Sequence, residues 1–206
     1  MEPFELRWDD DLLLAPPTEA DIDAITAACQ DPDIQRNTLV PAPYRRSDAV
    51  QFVTRFAVDS WRRGSPVWAI HAPAPATTAA GSWQFCGVVG IHDVYVGSGE
   101  IGFWLAPTAR GRGLAHRSVG LCLDAAFGVL GLQRVEWRAF VGNWASWRTV
   151  WRHGFRKEGE VRGFGVQRGM RRDQWIGTLL ATDPRHPAQE WDGPPAASPE
   201  PQQPPQ

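Results

Sequence analysis

The stretch Glu100–Ala126, EIGFWLAPTARGRGLAHRSVGLCLDAA, decides how the remainder of the chain is interpreted. Its first residues alternate between apolar and small or polar side chains, the period of a half-buried β-strand: Ile101, Phe103 and Leu105 form the apolar set. From Ala115 the apolar spacing lengthens to the period of a helix with one buried face. The arginines and glycines of 110–113 therefore lie where a strand ends and a helix begins.

This junction has the features of an anion-binding site. The first N–H groups of a helix have no partner inside the helix, and the helix dipole adds positive potential there. Glycine lets a ligand approach those groups closely. Because Arg110 and Arg112 add charge, the pattern predicts binding of a phosphate or pyrophosphate. The alternative is a solvated basic turn whose glycines serve tight packing.

Composition narrows the class of protein. The 206 residues suffice for one domain, or for one domain and a tail. A net charge of −2 gives no reason to expect nucleic-acid binding, and no apolar run approaches the roughly 18 residues of a membrane helix. The three cysteines lack metal-ligand spacing, so we expect buried thiols in a reducing cytosol and no metal. We therefore predict a cytoplasmic protein without nucleic-acid or membrane partners.

The predicted order of elements is strand, two helices, three strands, helix, strand, helix, two strands. We interpret residues 1–10 as a lead-in and residues 31–44 as a loop, with Ser47 capping the second helix. Residues 72–82 are predicted to be a flexible hairpin connection. Residues 184–206 are expected to form a disordered tail, because the eight prolines beyond Thr182 and few apolar side chains favour disorder.

Three motifs in this order, EIGFWLAP, RGRGLA and N-W-A-S-(x7)-G-F, resemble the GNAT superfamily of acyl-CoA-dependent N-acyltransferases. The branch most similar is that of the ribosomal-protein N-terminal acetyltransferases RimJ and RimL. The resemblance covers residues 11–183 as one domain. It implies an α+β (α/β) fold with a mixed central sheet of about seven strands, splayed between the fourth and fifth, and helices on both faces.

The resemblance also implies where acetyl-CoA binds. The turn would cradle the pyrophosphate, and its residues are Arg110, Gly111, Arg112, Gly113, Leu114 and Ala115. The strand backbone would hydrogen-bond the pantetheine arm through Trp104, Leu105 and Ala106, with Leu105 or its neighbour polarising the acyl carbonyl. The start of the following helix, Asn143 and Ser146, would border the thiol.

Catalytic roles follow from the same resemblance. Glu100 is the candidate general base; the alternatives are a strand-end carboxylate paired with an arginine, or a water chain. Asn143 is a helix N-cap that would also contact pantetheine. Many family members carry a tyrosine on this helix as the thiolate proton donor, but Val150 occupies that position here. Ser146 is therefore the best candidate donor.

The predicted activity is transfer of an acetyl or other acyl group from acetyl-CoA to a primary amine. The acceptor would be a protein N-terminus, a lysine or a small molecule, and the enzyme is a possible homodimer. The alternative is a CoA-binding module without catalysis that acts as a sensor or binds a partner.

Overall fold

The computed structural model describes residues 1–74 and 82–195, and a mixed eight-stranded sheet forms its centre. The strands lie in the order β1-β2-β3-β4-β5-β6-β8-β7, and β5 pairs with β6 in parallel. Their bounds are β1 Leu6–Trp8, β2 Leu12–Ala15, β3 Val67–Pro73, β4 Trp83–Tyr95, β5 Ser98–Leu105, β6 Arg134–Phe140, β7 Arg156–Gln167 and β8 Met170–Leu180.

Helices cover both faces of this sheet. They are α1 Ile22–Ala28, α2 Pro32–Asn37, α3 Arg46–Gln51, α4 Val58–Arg62, α5 Leu114–Gly128 and α6 Trp144–Trp151, with a π-helical turn at Phe52–Ala57. Val88 and Trp104 pack against this turn, whereas Val89 and Ile101 belong to the main core together with α5. Because alternate strand residues point to opposite faces, α5 lies across the sheet from the π-helical turn.

The predicted splay lies between β5 and β6. Their pairing begins at Ser98 opposite Arg134 and ends at Ile101 opposite Trp137. The last four residues of β5 remain paired with β4 but have no partner on β6. A V-shaped gap therefore opens at the carboxyl end of both strands.

Three local predictions were wrong. The lead-in contains β1, which pairs with β2, so the sheet has eight strands rather than about seven. The predicted loop contains α2, because the Asp31 carboxylate accepts a hydrogen bond from the Ile34 N–H at 2.9 Å and Pro32 occupies the first helical position. The second helix begins at Arg46, with Arg45 rather than Ser47 as its N-cap.

The C-terminal segment 184–195, named the strap below, packs against α6 and the start of β7. This differs from the expected disorder over those residues, whereas 196–206 lie outside the described residues, as does most of the predicted 72–82 connection. Gly154 allows the strap to begin there, because a Cβ at this position would lie 2.2 Å from the Pro184 carbonyl oxygen. The composition favoured disorder, but contacts with distant tryptophans hold the strap.

The contacts between the strap and the tryptophans centre on Lys157, the single lysine of the chain. Its ammonium lies 4.3–5.0 Å from the ring centroids of Trp144, Trp147 and Trp175, within cation–π range. Asp192 of the strap completes the surroundings of this ammonium, because its carboxylate lies 2.5 Å from Lys157 Nζ and accepts a hydrogen bond from Trp147 Nε1 at 2.7 Å. The strap thereby braces α6 against β7.

Asp192→Ala should lower the free energy of unfolding by about 1–2 kcal/mol, because it leaves the buried Trp147 indole N–H without its partner. Urea denaturation followed by tryptophan fluorescence measures this change. Glu190→Ala, an exposed carboxylate in the same strap, is the matched control and should change little. Equal stability of the Asp192 variant and the wild type would show that the strap does not support α6.

Candidate active site

A cavity of about 400 Å³ lies at the end of β5, where this strand has parted from β6. It is bounded by the end of β5, the first turns of α5 and α6, and α2. Of the predicted site residues, the cavity brings together six: Trp104, Leu105, Arg110, Ala115, Asn143 and Ser146.

The backbone of β5 has a definite orientation at this gap. The Ala106 N–H donates to the Cys86 carbonyl at 2.8 Å, on the β4 side of the strand. Since successive strand residues direct their backbone groups to opposite edges, Leu105 and Phe103 face the gap. The Leu105 carbonyl lies 3.4 Å from Arg110 Nη2, which supports the same orientation. Leu105 therefore offers the N–H predicted to polarise the acyl carbonyl.

Two of the predicted strand contacts have other backbone partners. Ala106 donates to Cys86, and its carbonyl accepts from the Ala109 N–H at 2.9 Å. The Trp104 carbonyl points toward β4, where a Cβ on Gly87 would lie 2.2 Å from it. Phe103, which sequence reasoning missed, has the orientation that Trp104 lacks. Alternation along the strand, counted back from Leu105, identifies Phe103 from the sequence.

The glycine turn fits a pyrophosphate. Gly111 and Gly113 have φ angles of 76° and 73°, and a Cβ on either would meet no described heavy atom within 4 Å. Gly113 is the N-cap of α5, so the first N–H groups of this helix lie beside open space. The side chain of Leu114 is fully buried and anchors the turn, while Ala115 lines the cavity. Residues Gly111–Ala115 therefore have the open backbone that the predicted cradle requires.

The arginines of the turn are engaged within the protein. Arg110 Nη2 lies 2.6 Å from Oδ1 of Asp31, the residue that caps α2. The backbone N–H of Arg110 donates to the Pro107 carbonyl. Arg112 donates to the Pro73 carbonyl at 3.4 Å. Arg110 thus ties the turn to α2, and its guanidinium also lines the cavity.

The start of α6 supplies the polar groups opposite the turn. The Asn143 side-chain oxygen accepts from the Ser146 N–H at 3.3 Å, as predicted for an N-cap. The Ser146 hydroxyl accepts from Trp137 Nε1 at 2.9 Å. Because an indole N–H is a donor only, the hydroxyl hydrogen of Ser146 remains available for an acceptor in the cavity.

Glu100 lies at the closed end of the gap, on the face of the sheet opposite α6. Its side chain is mostly buried and forms an ion pair with Arg138, while Asp93 and Glu136 lie close to the same guanidinium. Burial raises the pKa of Glu100 to about 7; Arg138 opposes this shift, and the negative charges of Asp93 and Glu136 add to it. A carboxyl group with this pKa can exchange protons at neutral pH.

These groups lie on two sides of the gap. Glu100 and Glu136 share one face of the sheet because they pair directly across β5 and β6. Trp137, next to Glu136, points to the other face and contacts Ser146. A proton acceptor on one face and a hydroxyl donor on the other suit a reaction at an atom held between them.

Residues 11–156 match the family model described as an acetyltransferase (GNAT) domain. The chain belongs to the GNAT acetyltransferase family. This match covers more than half of the chain, and it includes β5, the glycine turn, α5 and α6. The acetyl-CoA site predicted from RGRGLA therefore lies within the matched domain.

The chain is 33% identical over 112 residues to the putative ribosomal N-acetyltransferase YdaF of Bacillus subtilis. The aligned region covers 53% of this chain and 57% of YdaF. Its fold is similar to that of RimL, a ribosomal L7/L12 alpha-N-protein acetyltransferase solved with coenzyme A. That comparison has a TM-score of 0.74 at 16% identity over 86% of this chain and 98% of RimL.

A second similar structure is the microcin C7 self-immunity acetyltransferase MccE in complex with acetyl-CoA and AMP. It has a TM-score of 0.71 at 21% identity, over 84% of this chain and 93% of MccE. In residues 1–74 and 82–195 no helix has the length and apolarity needed to cross a membrane. The same residues contain no group of three or more His, Cys, Asp or Glu side chains placed to hold a metal ion.

Proposed function

We propose that this protein transfers an acetyl group from acetyl-CoA to the primary amine of a protein N-terminus. One observation carries the proposal: the Leu105 backbone faces a gap that continues to an open glycine turn at a helix N-terminus. This arrangement suits a long ligand with an acyl group at one end and a pyrophosphate further along. Family membership and the names of YdaF and RimL support the reaction and the acceptor.

Glu100 would act as the base. The α-amino group of a protein N-terminus, with a pKa of about 7.7–8.0, is mostly protonated at pH 7, so it must lose a proton before it attacks the thioester. The raised pKa of Glu100 makes its carboxylate basic enough to accept that proton, directly or through one water. The amine would approach from the Glu100 face of the sheet.

The opposite face would stabilise the leaving group. As nitrogen bonds to the acyl carbon, negative charge develops on the carbonyl oxygen, and the Leu105 N–H is oriented to donate to it. The C–S bond then breaks, and the coenzyme A thiolate departs toward the Ser146 hydroxyl, which can hydrogen-bond it. Asn143 orders the first turn of α6 and so holds Ser146 in place.

The test is release of the coenzyme A thiol from acetyl-CoA, measured against three acceptor classes. These are peptides with an exposed N-terminus, N-terminally blocked peptides with one lysine, and small primary amines. We expect the first class to react fastest, with mass spectrometry placing the acetyl group on the N-terminal nitrogen. Tight acetyl-CoA binding without thiol release for any acceptor would instead favour the non-catalytic module.

A ribosomal-protein acceptor would be met in the cytoplasm, which supports the predicted location. We retain the homodimer as a prediction from the resemblance. Light scattering coupled to size-exclusion chromatography would test it, because a mass near 23 kDa would identify a monomer.

A further inference from the structure

Arg138 occupies a distinctive position on β6. The last pair between β5 and β6 is Ile101 opposite Trp137, so Arg138 is the first β6 residue beyond the point where the strands part. Because Arg138 follows Trp137, its side chain lies on the face of Glu100 and Glu136. A cation therefore stands at the closed end of the gap.

Three carboxylates converge on this single guanidinium. Glu100 forms the closest pair, Arg138 Nε lies 3.1 Å from Glu136 Oε1, and Arg138 Nη2 lies 3.6 Å from Asp93 Oδ2. The ring of Phe164 from β7 lies 5.5 Å from the guanidinium carbon. About 24% of the Arg138 side chain is exposed, so solvent screens these interactions only in part.

The charged and titratable groups around Glu100 come from two neighbouring strands. His92 pairs with Glu100 across β4, and Asp93 follows it, while β6 contributes Glu136 and Arg138. Burial lowers the pKa of His92, which favours its neutral form. Arg134 is 2.8 Å from Glu136 and serves that carboxylate. Among the described residues, Arg138 is thus the cation that directly pairs with Glu100.

We propose that Arg138 is a positioning residue that keeps Glu100 ionised and aimed into the gap, ready to accept the proton of the acceptor amine. This inference rests on the proposed role of Glu100 as base. A guanidinium can bind several carboxylate oxygens in one plane, which a single ammonium cannot do. Without it, Glu100 would face the carboxylates of Asp93 and Glu136 with no cation paired to it, and like-charge repulsion would favour its protonated, inactive form.

The experiment measures kcat/KM against pH for the wild type and Arg138→Gln. We expect the acidic limb of the profile to move to higher pH in the variant, with most of the lost activity recovered at alkaline pH. An upward shift of about one unit would lower the ionised fraction of Glu100 at pH 7 from about one half to about one tenth. Arg138→Lys retains the charge and should give a limb between the two.

Arg134→Gln is the matched control, since it removes a neighbouring guanidinium that pairs with Glu136, and its limb should stay near that of the wild type. In the Glu100→Gln background, Arg138→Gln should cause little further loss, because it would act through Glu100. Acetyl-CoA affinity should be unchanged in every variant. If Arg138→Gln does not fold, Arg138→Lys carries the test through its smaller upward shift.

An acidic limb of the pH profile that stays in place in folded Arg138 variants would overturn the proposal, even if their melting temperature is lower. Arg138 would then have only a structural role, linking β4, β5 and β6. Failure of the proposed function has different signatures. A wild type that releases no thiol with any acceptor refutes the enzyme assignment. An active wild type with an equally active Glu100→Gln variant refutes the base.

Discussion

Gly113→Asp should reduce the affinity for acetyl-CoA by at least about a hundredfold, a loss of about 2.7 kcal/mol. Gly113 has a φ of 73° at the N-cap of α5, and open space adjoins it where the pyrophosphate is proposed to bind. An aspartate side chain would enter that space and place a negative charge against the phosphates. Isothermal titration calorimetry with acetyl-CoA measures the loss.

The control is Gly131→Asp, beyond the other end of α5. Gly131 also has a positive φ, 64°, and nothing described lies within 4 Å of its added Cβ. The two substitutions share backbone strain of about 1–3 kcal/mol and the same added charge, so they differ in position relative to the proposed phosphate cradle. Unchanged affinity in a folded Gly113→Asp protein would refute the cradle.

Glu100→Gln should lower kcat by at least about a hundredfold, because general-base catalysis contributes about 10²–10⁴ in rate. Glutamine has nearly the same shape but cannot take a proton from the amine. Since the base must be ionised, kcat/KM of the wild type should rise with pH through about 7 and level off above it. The variant should lose the contribution of Glu100 to this limb and keep only the pH dependence of the acceptor amine, while its affinity for acetyl-CoA stays the same.

Asp93→Asn provides the comparison for Glu100. The Asp93 side chain is 79% exposed, and its charge raises the pKa of Glu100. Removing that charge should move the acidic limb to lower pH without lowering the maximal rate. If Glu100→Gln retains the wild-type rate and the wild-type pH profile, proton removal falls instead to water held by backbone carbonyls.

The parts that sequence reasoning predicted correctly depend on neighbours along the chain. The strand, glycine turn and helix of 100–126 appear as β5, the turn and α5. The Asn143 cap is a contact between residues three apart. Short-range hydrogen bonding and hydrophobic periodicity encode such features directly.

A local signal for α2 is also present in the sequence. Asp31 followed by Pro32 is a helix start signal, yet the polar, proline-containing stretch led to the prediction of a loop. The strap is a different case. Its composition favours disorder, and its order depends on tryptophans about 40 residues earlier in the chain.

By itself, the sequence determined the glycine turn before α5 and the polar start of α6, because each depends on backbone chemistry within a few residues. Its three motifs indicated the class of fold through their resemblance to a known family. Only the tertiary structure decided what the charged side chains contact. Arg110 pairs with Asp31, 79 positions away, and Arg138 meets carboxylates from three strands. The pairing and splay of the strands bring these groups together, and spacing along the chain does not predict which charged side chains will pair.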